Sequence, residues 1–568
     1  MTASVTRLLG ANGMSTAHTG ASPPARRLPL HWLGILPFAV FVTLFLILPT
    51  MKIVVGAFQT PDGSFTLDNI QGLFTPSILA AYWISIKISI ASALLGCLIG
   101  FAVSSAVVFG GLPKWIRGPL LTFSGVASNF AGVPLAFAFL ATLGPVGILS
   151  VFLRSELGVD LRALGFNLLS FWGLTVTYLF FQIPLMILII TPALDGLKRE
   201  WREAAEILGA TGLQYWRMVA FPILLPSILG TLALLFANAF GAVATAIALT
   251  GSWLVPVDRA HPALRPDPRR RARQPAPRLR ARLRHDRRHG HRQRDLHLAS
   301  RPQREVAEMR KIWAWGALLF GILYFTLPLV GMTNFSLKMR RGEYSFDAYA
   351  KVFGDPRFQE TFTYSVAQAL FTIVFGVLLV VPTAYWVRLK LPRLRPYIEF
   401  VTLLPLVIPA IVIVFGYIRL YNTSSWLPLT GSAFGTDILL MFGYATLSLP
   451  YMYRAVDTGL RTIDVATLTE AAQSLGAGWA TILARIILPN ALVAVLSGAF
   501  LTFAIVIGEF TMAALLNKPA FGPYMQLLGA NRAYEPAALA VIAFGITWGC
   551  LGLIQLVSRF QKSAPPKA

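Results

Sequence analysis

A short polar stretch that occurs twice carries the residues best suited to a specific contact. Each copy has a glutamate, two alanines and, six residues after the glutamate, a glycine: Glu203, Ala204, Ala205 and Gly209, and Glu470, Ala471, Ala472 and Gly476. The small alanines allow a close approach of another surface, and each glutamate can cap the start of its helix or bond to a partner cation. This chemistry is recognition of a partner, without a catalytic residue.

The residues around each copy predict the elements that position it. The Glu-Ala-Ala run favours a helix, the glycine can end or bend it, and Pro222 or Pro489, nineteen residues after the glutamate, opens the next helix. Long apolar runs stand before and after each copy. We therefore expect two short helices lying across one membrane face, in a loop duplicated 267 residues apart.

The composition indicates a chain whose solvent is lipid. Of 568 residues, 55% are hydrophobic and only 13% are charged, although the net charge is +24. The two cysteines, Cys97 and Cys550, fall inside apolar runs, so neither a disulfide framework nor a thiolate metal site is expected. The sequence therefore predicts an all-α polytopic membrane protein.

Eleven apolar runs have the length of a membrane span. They lie near 32–56, 80–108, 119–143, 168–190 and 226–249, and near 313–333, 363–387, 399–421, 437–456, 490–516 and 536–557. Arginine and lysine concentrate after the even-numbered runs of each half, which marks those loops as cytoplasmic. Both copies of the polar stretch therefore face the same side, and the halves form a parallel repeat.

The stretch 254–308 interrupts this pattern. It holds 16 Arg against six acids, and five of the seven His. A linker to nucleic acid or anionic lipid and a His-rich metal tract are alternatives, but few aromatic residues and no orderly ligand spacing support them. We prefer an out-of-frame stretch that replaces the sixth span of the first half. After only five spans, the second half would cross the membrane in the opposite direction, and a sixth span restores its orientation.

The chain thus divides into five segments. They are a disordered cytoplasmic tail (1–30), a half with five spans (31–253), the anomalous stretch (254–308), a half with six spans (309–560) and a cytoplasmic tail (561–568).

The paired polar stretches resemble the EAA loop of binding-protein-dependent ABC importer permeases. The resemblance implies two tandem six-helix permease halves in a bacterial inner membrane, with the loop residues docking on two cytoplasmic ATPase subunits. It also implies an extracytoplasmic solute-binding protein and no catalytic residue in this chain. ATP and magnesium would bind to the partner ATPase, because the chain has no phosphate-binding Gly-x-x-x-x-Gly-Lys-Ser/Thr loop. No nucleic-acid partner is expected.

Polar residues within the spans are candidates for the substrate path: Glu509, Asn238, Tyr417 and Asn422. Glu509 could pair with a cationic substrate, or it could serve gating or packing. Similarity to the spermidine/putrescine branch of the family favours a polyamine, with ferric iron and aminophosphonate as alternatives. An ion-coupled secondary carrier and a non-functional, frame-disrupted permease are the other hypotheses.

Overall fold

The computed structural model describes residues 33–128, 130–251, 300–340 and 343–563. Within these ranges the chain is helical, and its only bridge of β type joins Gln59 and Phe65. The predicted tail 1–30 and most of the stretch 254–308 lie outside the described residues, as do positions 564–568 of the second tail.

The principal helices of the first half follow the predicted runs. They are α1 (Leu36–Gly56), α2 (Pro76–Phe109), α3 (Arg117–Ala127), α4 (Val133–Leu143), α5 (Ile148–Glu156), α6 (Phe171–Asp195), α7 (Arg199–Ile207), α8 (Gly212–Phe240) and α9 (Val243–Thr250). The predicted third run is thus divided between α3 and α4.

The second half repeats this order and continues beyond it. Its principal helices are α10 (Ser300–Leu337), α11 (Asp347–Phe353), α12 (Pro356–Leu389), α13 (Arg395–Val407), α14 (Ala410–Leu420), α15 (Ala433–Arg461), α16 (Val465–Ser474), α17 (Trp479–Asn490), α18 (Leu492–Gly508), α19 (Thr511–Leu515), α20 (Phe521–Asn531) and α21 (Glu535–Ser563). Because α10 begins at Ser300, the predicted boundary at 309 lies inside a helix.

In the described part of the chain, seven helices are long and apolar enough to cross a membrane, and the number rises to nine if each of two bent pairs counts as one span. One pair is α13 with α14, which meet at 97°. The bend follows from Pro409, which cannot supply the amide hydrogen that a continuous helix needs and which restricts Ile408 to an extended conformation. In the first half the equivalent break precedes Val133, where Gly132 has a φ of +78°.

The first span of each half packs against the other half. Side chains of α1 are buried in a core formed otherwise by the second half, where Phe45 stands 4.3 Å from Phe442 between ring centroids. The hydroxyl of Tyr417 donates to the carbonyl of Phe45 at 2.7 Å, and that of Tyr421 donates to the carbonyl of Leu44 at the same distance. These two bonds attach α1 to α14 and to Tyr421, the residue that directly follows α14.

The exchange is reciprocal, since α10 packs on the first half. The Phe325 ring lies 5.2 Å from that of Phe180, and the Tyr324 hydroxyl donates to the carbonyl of Val176 at 2.5 Å. Each half therefore completes its core with a helix that the other half supplies.

The packing fixes the direction in which both halves cross the membrane. The part of α10 that is long and apolar enough to span starts at Lys311, and near that start Ala314 is buried against Ala106 at the end of α2. At the end of α12, Trp386 is so close to Gly34, just before α1, that a side chain at Gly34 would overlap its indole ring. The start of α1, the end of α2, the start of the apolar part of α10 and the end of α12 therefore share one face, here called the inner face. It is the face that carries the basic loops.

Candidate functional site

The first polar stretch forms a helix that ends in a glycine turn. Helix α7 stops at Ile207, and Gly209 adopts a φ of +79°. The Gly209 amide donates to the carbonyl of Glu206 at 3.0 Å, and the Ala210 amide donates to the carbonyl of Ala205 at 2.9 Å. This pair of bonds is the Schellman ending, whose left-handed position favours glycine.

The second polar stretch has the same ending. Gly476 follows α16 with a φ of +78° and donates to the carbonyl of Gln473 at 2.9 Å, while Ala477 donates to that of Ala472 at 3.0 Å. The two glycines therefore have the same structural role, which their equal spacing from the glutamates predicts. Here each helix with its glycine turn is called a coupling loop.

The two alanines of each coupling loop point in different directions. Ala204 and Ala471 are exposed, as are Glu203 and Glu470. Ala205 and Ala472 are buried, and Ala205 packs on Tyr215 and Ala220 within its own loop. The methyl groups of Ala205 and Ala472 therefore pack beneath the helix, and a direct contact of these two alanines with a partner stays a prediction.

Large apolar side chains project from the end of each coupling helix into solvent. Ile207 and Leu208 are each 86% exposed, and Leu475 is 88% exposed. Burying such side chains against a partner is favourable by about 1.5–3 kcal/mol each. The sequence prediction omitted these residues, although the apolar residue directly before each Gly-Ala pair is visible in both copies.

The two loops differ in charge. Arg199 bonds to Glu203 at 2.8 Å, and Arg202 bonds to Glu206 at 2.9 Å, so the acids of α7 are paired along the helix. Glu470 forms no ion pair with any residue that the structure describes. Asp464 caps α16 instead, and the hydrogen bond from the Thr467 hydroxyl lowers the pKa of its carboxyl group.

Both loops lie on the inner face. Each follows a span that ends there: Asp195 at the end of α6 pairs with Arg117, and Asp457 near the end of α15 pairs with Arg395 at 3.0 Å. Arg117 directly follows the loop after α2, where the apolar part of α10 also starts. A single partner assembly on this face can therefore reach both loops.

Four interrupted spans meet at one cavity between the halves. Its volume is about 260 Å³, and it is lined by Gly132, by Gly241 and Ala242, by Ile408 and Pro409, and by Gly508 to Thr511. Gly132 stands between α3 and α4, and Ile408 and Pro409 stand between α13 and α14. Gly241 and Ala242 follow α8, and the stretch from Gly508 to Thr511 begins at the last residue of α18. Helix α8 thus runs from the first coupling loop towards this cavity, and the bent pair of α17 and α18 does so from the second.

Two of the four predicted path residues line the cavity. They are Asn238 and Glu509. Both carboxylate oxygens of Glu509 accept the Met512 amide at 3.0 Å, and one also accepts that of Ala513 at 3.4 Å. The Glu509 side chain therefore lines the cavity and also satisfies amides at the start of the short helix α19.

Tyr417 and Asn422 lie elsewhere. Tyr417 is fully buried, and its hydroxyl is bound to the carbonyl of Phe45, so it holds α1 in place. The Asn422 side chain bonds to the carbonyl of Arg419 and the amide of Ser424 in the loop after α14. Neither residue lines the cavity, and both are satisfied by neighbouring backbone, as intramembrane polar residues often are. Their place on a substrate path stays a prediction.

Comparison with known proteins identifies a domain present twice. The profile of the family "Binding-protein-dependent transport system inner membrane component" matches residues 99–257 and again 381–557. The two matches together cover more than half of the chain, and each contains one coupling loop.

Several curated relatives are permeases. The "Sulfate transport system permease protein CysT" of Salmonella typhimurium is 28% identical over 229 residues, which are 40% of this chain and 77% of that protein. The "Spermidine/putrescine transport system permease protein PotB" of Haemophilus influenzae is 28% identical over 37% of this chain and 73% of its own length. The "Probable ABC transporter permease protein y4fN" of Sinorhizobium fredii is 24% identical over 536 residues, 86% of this chain and 89% of that protein.

These matches agree with the tandem all-α architecture and with the apolar helices described above. They make this chain a multi-pass protein of the bacterial inner membrane. It belongs to the family of ABC importer inner-membrane permeases and contains the domain of that family twice.

Proposed function

We propose that this chain forms the complete substrate path of an ATP-driven importer. The observation that carries the proposal is that both coupling loops share one face and one geometry, while the spans that follow them lead to a common cavity. Each loop seats in one of two ATPase subunits, which bind ATP and magnesium and carry out the hydrolysis. A solute-binding protein delivers substrate to the opposite face.

The helices supply the mechanical connection. Helix α8 starts directly after the first coupling loop and ends at Phe240. The second loop leads into α17, which joins α18 at a bend of 81°, and α18 ends at Gly508. A displacement of either loop is therefore passed along these helices to the cavity wall at their far end. Closure of the ATPase dimer would bring the loops together and rock the halves between inward-open and outward-open states.

For the substrate we propose a small inorganic oxyanion, with a polyamine as the second candidate. Among the described lining residues, Glu509 is the only one with a carboxylate or basic group, and its oxygens are bound to backbone amides. The one carboxylate of the described lining is thus already engaged by the protein, and no second one stands beside it for a diamine or polyamine cation. Relatives named as sulfate permeases support an oxyanion as the substrate. The relative named as a spermidine/putrescine permease is the reason for retaining a polyamine as the second candidate.

Replacing Glu509 by glutamine separates the two substrate classes. Glutamine keeps an oxygen that can accept the amide of Met512, so we expect Glu509→Gln to retain more than half of the uptake of an oxyanion. Glu509→Ala removes the cap and should lower stability by about 0.5–2 kcal/mol. The measurement is uptake of radioactive sulfate, molybdate and putrescine together with a thermal unfolding curve. Selective loss of putrescine uptake in Glu509→Gln would instead assign the carboxylate to a cationic substrate.

The orientation of the halves also bears on the stretch 254–308. Helix α9 starts at the cavity, at Val243, whereas the apolar part of α10 starts at the inner face, at Lys311. The second match to the family extends to residue 557, at the end of α21, but the first stops at 257. Both observations support our proposal that a reading-frame shift removed the sixth span of the first half. Sequencing the DNA across codons 250 to 310 tests it, and it fails if no other frame encodes an apolar run there.

The function itself is tested with the chain, its neighbouring ATPase and the neighbouring binding protein in liposomes. We expect substrate accumulation that requires ATP and the binding protein, and co-purification of the ATPase. Secondary carriers often contain interrupted spans like those described here, so a carrier is the alternative that this experiment has to exclude. Uptake that persists without ATP and follows an ion gradient would therefore favour a carrier. Uptake only after the reading frame is restored would show that the chain as written is non-functional.

A further inference from the structure

A cluster of charged side chains joins three helices at the inner face of the second half. The Asp457 carboxylate bonds to Arg461 at 2.7 Å and to Arg395 at 3.0 Å, and Arg388 lies 3.6 Å away. Glu399 bonds to Arg395 at 2.8 Å. The Asp457 side chain is only 10% exposed, so its charge is held by these arginines with little water.

The cluster connects three helices at the ends that lie on the inner face. Arg388 belongs to the end of α12, Arg395 to the start of α13, and Asp457 to the end of α15. A carboxylate shared by arginines from three helices fixes the distances among those helices, because charge-assisted hydrogen bonds are short and directional.

The same helices contact the second coupling loop and the cavity. The Tyr385 hydroxyl of α12 lies 3.0 Å from the Thr469 hydroxyl of α16, and the Trp386 ring lies 4.5 Å from the Trp479 ring that follows the loop. At its other end, α13 contributes Pro405 and Val407 to the cavity wall. A continuous set of contacts therefore runs from the second coupling loop through the charged cluster to the cavity.

The first half has a weaker counterpart. Arg117 begins α3 as Arg395 begins α13, and it pairs with Asp195, but the two side chains are 43% and 33% exposed. Seven residues before Arg117, Gly110 stands where Arg388 precedes Arg395, and four residues after it, Leu121 stands where Glu399 follows Arg395. An exposed single pair contributes little to rigidity.

We propose that Asp457 is a positioning residue that makes the second half respond to its coupling loop as one rigid unit, so that ATP-driven motion reaches the cavity mainly through that half. The inference rests on the proposed function and adds an asymmetry to it. Asp195 lacks this role because it bonds to one arginine, Arg117, in a pair that is more exposed than Asp457.

The test compares Asp457→Asn with Asp195→Asn in liposomes that contain the ATPase and the binding protein, with uptake and ATP hydrolysis measured on the same sample. We expect Asp457→Asn to lower the amount of substrate taken up per ATP roughly tenfold, within the range typical of coupling between sites. Hydrolysis should keep at least half of its rate, since the docking residues are unchanged. Asp195→Asn should change both quantities less than twofold.

Two further variants separate positioning from folding. Asp457→Glu keeps the carboxylate and should restore coupling. In the double variant Arg395→Cys with Asp457→Cys, a short bifunctional thiol reagent should raise uptake per ATP relative to the untreated protein, because a covalent link replaces the ion pair. The inference is overturned if Asp457→Asn transports with the coupling of the unmodified chain, if Asp195→Asn uncouples equally, or if the covalent link has no effect. Absence of ATP-dependent uptake by the unmodified complex would instead contradict the proposed function.

Discussion

Replacing Gly476 by valine should reduce the affinity of the ATPase for this permease by roughly 10- to 100-fold. Gly476 has a φ of +78°, and a β-branched residue in this region costs about 1–3 kcal/mol. The loop can avoid this cost only by giving up the bonds from Gly476 to Gln473 and from Ala477 to Ala472, which set the direction of the exposed Leu475. The affinity is measured by titrating purified ATPase against the permease in nanodiscs.

Gly478 provides the matched control for this substitution. It lies two residues further on, its φ is −74°, and a side chain added there meets no atom within 4 Å, as at Gly476. Gly478→Val should therefore bind ATPase as the unmodified chain does. Gly209→Val tests the first loop in the same way, with Gly212→Val as its control. Equal binding by Gly476→Val and Gly478→Val would show that the left-handed turn does not shape the docking surface.

The second large effect concerns the cavity. Gly508 lines it, and a side chain added at Gly508 meets no atom within 4 Å, so Gly508→Trp places an indole ring in a space of about 260 Å³. We expect uptake to fall at least roughly 100-fold while the ATPase still binds, because the substitution leaves both coupling loops unchanged. Tryptophan at the last position of α18 replaces a glycine and does not weaken the helix by its intrinsic propensity.

Gly545→Trp is the corresponding control on α21. This glycine is exposed on a helix face away from the cavity, and a side chain added there also meets no atom within 4 Å. We expect it to retain uptake. If Gly508→Trp transported at the rate of Gly545→Trp, the substrate would cross the protein by another route. Measuring ATP hydrolysis for both variants separates a blocked path from a lost partner.

The coupling loops were the most predictable part of this protein. Their shape depends on local chemistry, since the left-handed turns at Gly209 and Gly476 and the helices before them involve residues close together in the sequence. The apolar runs likewise locate the spans, because lipid imposes a minimum length on each helix. The family resemblance of the two loops was therefore visible without a structure.

Contacts between the halves could not be read from the sequence. Apolar periodicity does not show that Tyr417 bonds to Phe45, a residue 372 positions away, so the tyrosine was placed on the path. Nor does it show that the interruptions at Gly132, Ile408 and Glu509 meet in space. The prolines and glycines near these points do mark interruptions, but their convergence depends on the packing of whole helices.

The exchange of first spans has a consequence for biogenesis. The ribosome completes α1 long before it makes α14, whose Tyr417 and Tyr421 bind the carbonyls of Phe45 and Leu44. During that interval α1 lies in lipid without its final neighbours, and the first half cannot finish its own fold. Insertion of the nascent chain therefore has to keep α1 nearby until the second half emerges.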